Sequence, residues 1–114
     1  MKRNKWILSI TALTVLALAA LPAVERTVAA SPSSADVKID NFSFTPAAIT
    51  VKVGTQITWT NGDDIPHTVV SEDQSFKSTV LDTDQKFTFT ASKPGTYSYF
   101  CSIHPKMTGK LVVE

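Results

Sequence analysis

From Asp36 onward, apolar residues recur at every second position: Val37 and Ile39; Ile49, Val51 and Val53; Ile57 and Trp59; Phe87 and Phe89; Tyr97, Tyr99 and Cys101; Leu111 and Val113. A period of two belongs to strands with one face buried. The breaks fall at Thr45-Pro46, Gly54, Asn61-Gly62-Asp63-Asp64, Lys93-Pro94-Gly95 and the stretch from Pro105 to Gly109, all rich in turn-forming residues. No stretch repeats apolar residues at three and four over the length of a helix. The segment from Glu72 to Asp84 has no clear period and leaves a short strand, a loop or one helical turn open. Six to eight short strands separated by turns predict an all-β fold, a two-sheet antiparallel Greek-key sandwich. That architecture hosts adhesion, binding and redox proteins alike, so function has to be read from particular residues.

The N-terminal region follows a different rule. Lys2, Arg3 and Lys5 precede an uncharged apolar run from Trp6 to Ala20, the layout of an export signal. Cleavage is expected after Ala30, giving a signal peptide over 1–30 and a single domain over 31–114; Leu21-Pro22-Ala23 is a second candidate site. The competing reading is an uncleaved membrane anchor, since the run through Val24 approaches the ~20 residues a spanning helix needs. The Ser-Pro-Ser-Ser after Ala30 favours a freed N-terminus and a periplasmic or otherwise exported protein. Beyond Ala30, seven lysines face nine acidic residues, which makes the remaining chain mildly acidic. The lysines are scattered among the acids, so no basic stripe for nucleic acid exists. A monomer is expected.

Cysteine usage changes the picture further. An exported domain this small buries a modest fraction of its surface and often needs a staple, yet Cys101 has no second cysteine to pair with. Such a residue is a reactive thiol, an intermolecular bridge or a ligand. After Ala30 the chain holds one Cys, two His and one Met: His67 follows Pro66, while Cys101, His104 and Met107 lie within seven residues. Singly, each has an ordinary structural reading: a surface or core histidine, a small buried thiol, a core-filling methionine. Together, two imidazoles, a thiolate and a weak axial thioether describe a type 1 (blue) copper site built for electron transfer. Cys101 ends a strand, so the chain must turn for His104 and Met107 to face the same point. His67 has to arrive from a neighbouring strand.

From Ile39 to Glu114 the chain resembles the cupredoxins, the family of plastocyanin, pseudoazurin and amicyanin. The run Tyr97-Ser-Tyr-Phe-Cys101-Ser-Ile-His104-Pro-Lys-Met107 is most similar to the amicyanin form, which has two residues between His and Met. Ile65-Pro66-His67-Thr68-Val69 is similar to the family's first-histidine motif. The resemblance implies a cupredoxin-like sandwich, one copper held by His67, Cys101, His104 and Met107, and redox-protein partners, with a dehydrogenase as donor and a cytochrome as acceptor. It also implies an apolar docking patch around the C-terminal histidine, for which Ile65, Pro66, Ile103, Pro105 and Met107 are the candidates.

Two positions depart from the family. Thr68 stands where members commonly have Asn, which ties two ligand loops together, and a hydroxyl offers fewer ties. Ile103 stands where amicyanin and plastocyanin have Pro, leaving an N–H available to the Cys101 sulfur. Three other functions compete with electron transfer. A copper-delivery protein would favour exposed, Met-rich ligands, and only one Met follows Ala30. A zinc-stabilised module leaves Met107 without a role. A Cys-His nucleophile lacks an evident oxyanion loop, so the chain is expected not to be an enzyme.

Overall fold

The computed structural model describes residues 33–114. The expected signal peptide and its cleavage after Ala30 lie outside these residues. The described chain forms eight strands: β1 (Ser34–Asp40), β2 (Ser43–Thr45), β3 (Ala48–Val51), β4 (Gln56–Asn61), β5 (Val70–Ser71), β6 (Lys86–Thr90), β7 (Gly95–Phe100) and β8 (Thr108–Val113). Two four-stranded sheets run in the orders β2-β1-β4-β6 and β3-β8-β7-β5.

The alternation seen in the sequence sets the inward faces. Val37 and Ile39 on β1, Ile57, Trp59 and Asn61 on β4, and Leu111 and Val113 on β8 are buried, with Asp36, Lys38 and Asp40 turned to solvent. Trp59 sits at the centre, with ring centroids 5.5 Å from both Phe76 and Tyr99 and 5.6 Å from Phe87. Tyr99 packs so closely that a side chain at Gly109, its partner on β8, would run into its ring.

The two-sheet β-sandwich expected from the pattern is what forms, and within it both sheets are mixed. β1 pairs with β4 in parallel, Val37 opposite Trp59, and β3 pairs with β8 in parallel, Ile49 opposite Leu111. After the β1–β2 hairpin the chain crosses to the second sheet as β3, then returns as β4 beside β1. Parallel neighbours require such crossovers. Strand direction leaves no mark on a period-two pattern, so only the assembled sheets could reveal it.

The segment from Glu72 to Asp84 is a loop that folds back on the stretch from His67 to Ser71. Ser71 N–H donates to Phe76 O at 3.0 Å and Ser78 N–H to Val69 O at 2.8 Å. His67 and Leu81 exchange both backbone bonds, at 3.1 and 2.8 Å. Phe76 and Leu81 are buried, which anchors the loop in the core. His67 is therefore held by an isolated bridge upstream of the two-residue strand β5, in place of the neighbouring strand expected to carry it.

Candidate metal centre

Cys101 leaves the end of β7 and enters two consecutive tight turns. His104 N–H donates to Cys101 O at 3.2 Å, Met107 N–H donates to His104 O at 2.9 Å, and Cys101 N–H closes the loop onto Met107 O at 3.0 Å. Bonds from i+3 to i give three residues per turn, which brings side chains three apart onto one side. The spacing Cys101, His104, Met107 follows from that geometry. Cys101 and Met107 are buried and His104 is half-buried.

His67 reaches the same point from the other ligand loop. Asn61, fully buried at the end of β4, organises this loop: its Nδ2 donates to Ile65 O at 2.9 Å and Leu81 O at 2.8 Å, and its Oδ1 accepts from Asp63 N–H at 2.9 Å. His67 is fully buried, and its Nε2 lies 2.7 Å from Asp63 Oδ2. A carboxylate there keeps the proton on Nε2 and leaves the Nδ1 lone pair free.

The resulting cluster gathers His67, Cys101 and His104 with their ligand atoms within 4.8 Å of one another. Cys101 Sγ lies 3.7 Å from His67 Nδ1 and 3.6 Å from His104 Nδ1. An ion at ~2.0 Å from nitrogen and ~2.3 Å from sulfur, in a trigonal plane, requires sulfur-to-nitrogen edges of roughly 3.8 Å. The three donors fit a first-row metal ion of that geometry.

Electrostatics favour the thiolate. Burial alone would push the Cys101 thiol up from its ordinary 9.0, but the Thr68 N–H, the His67 and His104 imidazoles and the His104 N–H together pull it down to about 6. The Thr68 N–H lies 3.4 Å from Sγ. Ile103 N–H is not among the sulfur's partners; the turn directs the next N–H, that of His104, toward Cys101 instead. Thr68 ties the two ligand loops more fully than a single bond would: its Oγ1 accepts from Ser102 N–H at 2.7 Å and lies 2.7 Å from Ser102 Oγ.

Asp63 and Phe42 were missed by the sequence reading. Besides meeting His67, the Asp63 carboxylate accepts from Asn41 N–H at 2.7 Å and Phe42 N–H at 3.1 Å. Burial raises Asp63, but these two N–H groups and the His67 imidazole outweigh it and hold the carboxyl below its ordinary value. Asn41 and Phe42 are both left-handed, with φ of 49° and 55°, a conformation that costs non-glycine residues about 1–3 kcal/mol each. The Phe42 ring stands edge-on to both imidazoles, centroids 5.7 Å from His67 and 5.0 Å from His104. An acid four residues before the histidine was a visible signal for Asp63; nothing local marked Phe42.

Of the expected surface patch, Pro66, Ile103 and Pro105 are exposed, Ile65 is half-buried and Met107 is buried. Phe42, 52% exposed, extends the apolar surface beside His104.

The family model for the cupredoxin-like domain matches residues 8–113. The chain belongs to the cupredoxin family, whose members bind one copper per domain, and the donor set described above fits that ion. It is 35% identical over 109 residues to amicyanin-alpha of Methylorubrum extorquens, covering 91% of this chain and 89% of that protein. Among solved structures it is similar to a purple cupredoxin from Nitrosopumilus maritimus, with a TM-score of 0.67 and 32% identity over 70% of this chain and 99% of that one. It is also similar to one part of a copper-containing nitrite reductase from Thermus scotoductus, with a TM-score of 0.68 and 31% identity over 74% of this chain but only 23% of the enzyme. Kinship to the amicyanins supports a blue copper electron-transfer protein that works with redox-protein partners.

Proposed function

We propose that this chain is an exported type 1 copper protein that shuttles single electrons between redox proteins, with His67, Cys101, His104 and Met107 as the ligands. The observation that carries the reading is the pair of imidazole Nδ1 atoms set 3.7 and 3.6 Å from a buried sulfur. Bound copper supplies the one-electron Cu(II)/Cu(I) couple. The protein supplies a fixed frame. Asp63 sets the His67 tautomer, the Thr68 N–H stabilises the thiolate, and the Thr68–Ser102 bonds hold the ligand loops at one separation. Ligands held this way change little between oxidation states, which lowers the reorganisation that electron transfer requires. Met107, buried and tied to Cys101 by a backbone bond, would offer its thioether to the copper as the fourth, weaker donor. His104, half-buried between Phe42 and Ile103, is the exit to a partner, and the exposed apolar residues around it are the docking surface.

The relation to amicyanin carries over a dehydrogenase donor and a cytochrome acceptor as the partner classes, and a leader removed after Ala30 to deliver the protein to the periplasm. A carrier role is favoured over an enzyme role by relatives matched across most of both lengths, whereas the nitrite reductase is about four times longer than the part matched here. Copper delivery is disfavoured by the burial of His67, Cys101 and Met107. The test is the visible and EPR spectrum after addition of Cu(II). One equivalent should give an intense thiolate-to-copper band that Cys101→Ser abolishes; a colourless wild type, or a blue Ser variant, refutes the ligand set. Copper retained through repeated reduction and oxidation supports a carrier, and ready loss to an acceptor protein supports delivery.

A further inference from the structure

One carboxylate connects a metal-site imidazole to an exposed aromatic ring. Asp63 contacts His67 Nε2 and the backbone N–H groups of Asn41 and Phe42. Its side chain is only 12% exposed, so these bonds are largely shielded from competing water. The loop is fastened further where Thr83 Oγ1 donates to Asp63 O at 2.7 Å. Asn41 and Phe42 are the two central residues of the β1–β2 hairpin, a turn that takes positive φ at both positions; Asn is common there and a bulky Phe is not. Charge-assisted bonds from both N–H groups to one carboxylate fasten this turn to the His67 loop.

The turn has a consequence for Phe42. Its ring is more than half exposed and stands edge-on to both ligand imidazoles, whose own centroids are 5.0 Å apart. Core packing does not explain such a placement, because a phenylalanine this exposed contributes little to the core. We infer that Phe42 is a positioning residue that caps the two imidazoles, and that Asp63 holds the cap in place while orienting His67. The cap shields the half-buried His104 from water and limits its swing, and Asp63 couples the cap to the one imidazole that is fully buried. The inference rests on the copper reading above.

The experiment compares Phe42→Ala, Asp63→Ala, the double variant and Phe42→Leu, all loaded with one Cu(II). Two readouts are used: the rate of copper loss to an excess of chelator, and the reduction potential. Outer-shell groups at metal sites typically contribute about 10–100-fold in affinity or activity. Phe42→Ala is expected to speed copper loss about tenfold. Asp63→Ala should do at least as much, and the double variant should match Asp63→Ala, because without the carboxylate the ring has already left its place. Phe42→Leu, which restores apolar cover, should recover most of the retention. Asp63→Ala should raise the potential more than Phe42→Ala does, since it removes a negative charge that favours Cu(II). Metal-free Phe42→Ala should unfold at the wild-type temperature.

Three results overturn the inference: wild-type copper retention in Phe42→Ala, effects that multiply in the double variant, or a metal-free Phe42→Ala destabilised as much as the loaded form. Failure of the wild type itself to take up copper overturns the functional reading instead, so the two failures are distinguishable.

Discussion

In the metal-free protein, Cys101 is expected to make stability depend on pH. The folded thiol ionises at about 6 against an ordinary 9.0. Between those values the folded chain binds fewer protons at this residue than the unfolded chain, so stability rises with pH. The contribution is complete above 9.0 and disappears as pH falls through about 6. Each pH unit of separation corresponds to about 1.4 kcal/mol, which sets a ceiling of ~4 kcal/mol for the whole interval. The assay is urea unfolding of wild type and Cys101→Ser, both without metal, from about pH 5 to about pH 10. Ionisable groups away from the sulfur act alike on both proteins, so the difference between their unfolding free energies reports the thiol together with the two imidazoles it contacts. That difference should grow with pH in favour of the wild type, and the ultraviolet absorbance of the thiolate should appear over the same lower range. A flat difference, or a thiolate that appears only near 9.0, would refute the donor arrangement around the sulfur.

Other substitutions test the frame and the surface. Asn61→Ala removes three side-chain hydrogen bonds from a buried position and should cost about 3 kcal/mol, seen as a lower urea midpoint. Gly109→Ala would place a methyl group 2.5 Å from the Tyr99 hydroxyl oxygen and 2.6 Å from Cε2, against a ring already packed by Phe44 and Trp59. Overpacking of this kind costs about 1–3 kcal/mol; a thermal midpoint equal to wild type would show that the ring can yield. Ile103→Glu should leave the copper spectrum intact while slowing electron self-exchange roughly tenfold at low salt, because two like charges would face each other across the encounter. An unchanged rate would move the docking site away from this face.

Sequence alone made most of the strands, most of their inward faces and the four candidate ligands legible. Alternation at Val37, Ile57, Trp59 and Leu111 is a local property of the pleat, because successive side chains point to opposite faces. The spacing of Cys101, His104 and Met107 was legible for a similar reason: one short loop carries all three, and its turns close within three residues. The resemblance to cupredoxins supplied what spacing could not, that His67 joins them. Tertiary structure decided the rest. The parallel pairing of β1 with β4 and of β3 with β8 depends on which sheet a crossing strand enters. Thr68 proved a fuller tie than its single hydroxyl suggested, because Ser102, far away in sequence, presents both N–H and hydroxyl to it. Ile103 N–H, expected at the sulfur, does not reach it, and the turn commits the next amide, that of His104, to the carbonyl oxygen of Cys101. Asp63 and Phe42 became part of the site only when folding brought the β1–β2 turn against the His67 loop, a contact between segments some twenty residues apart that no local pattern encodes.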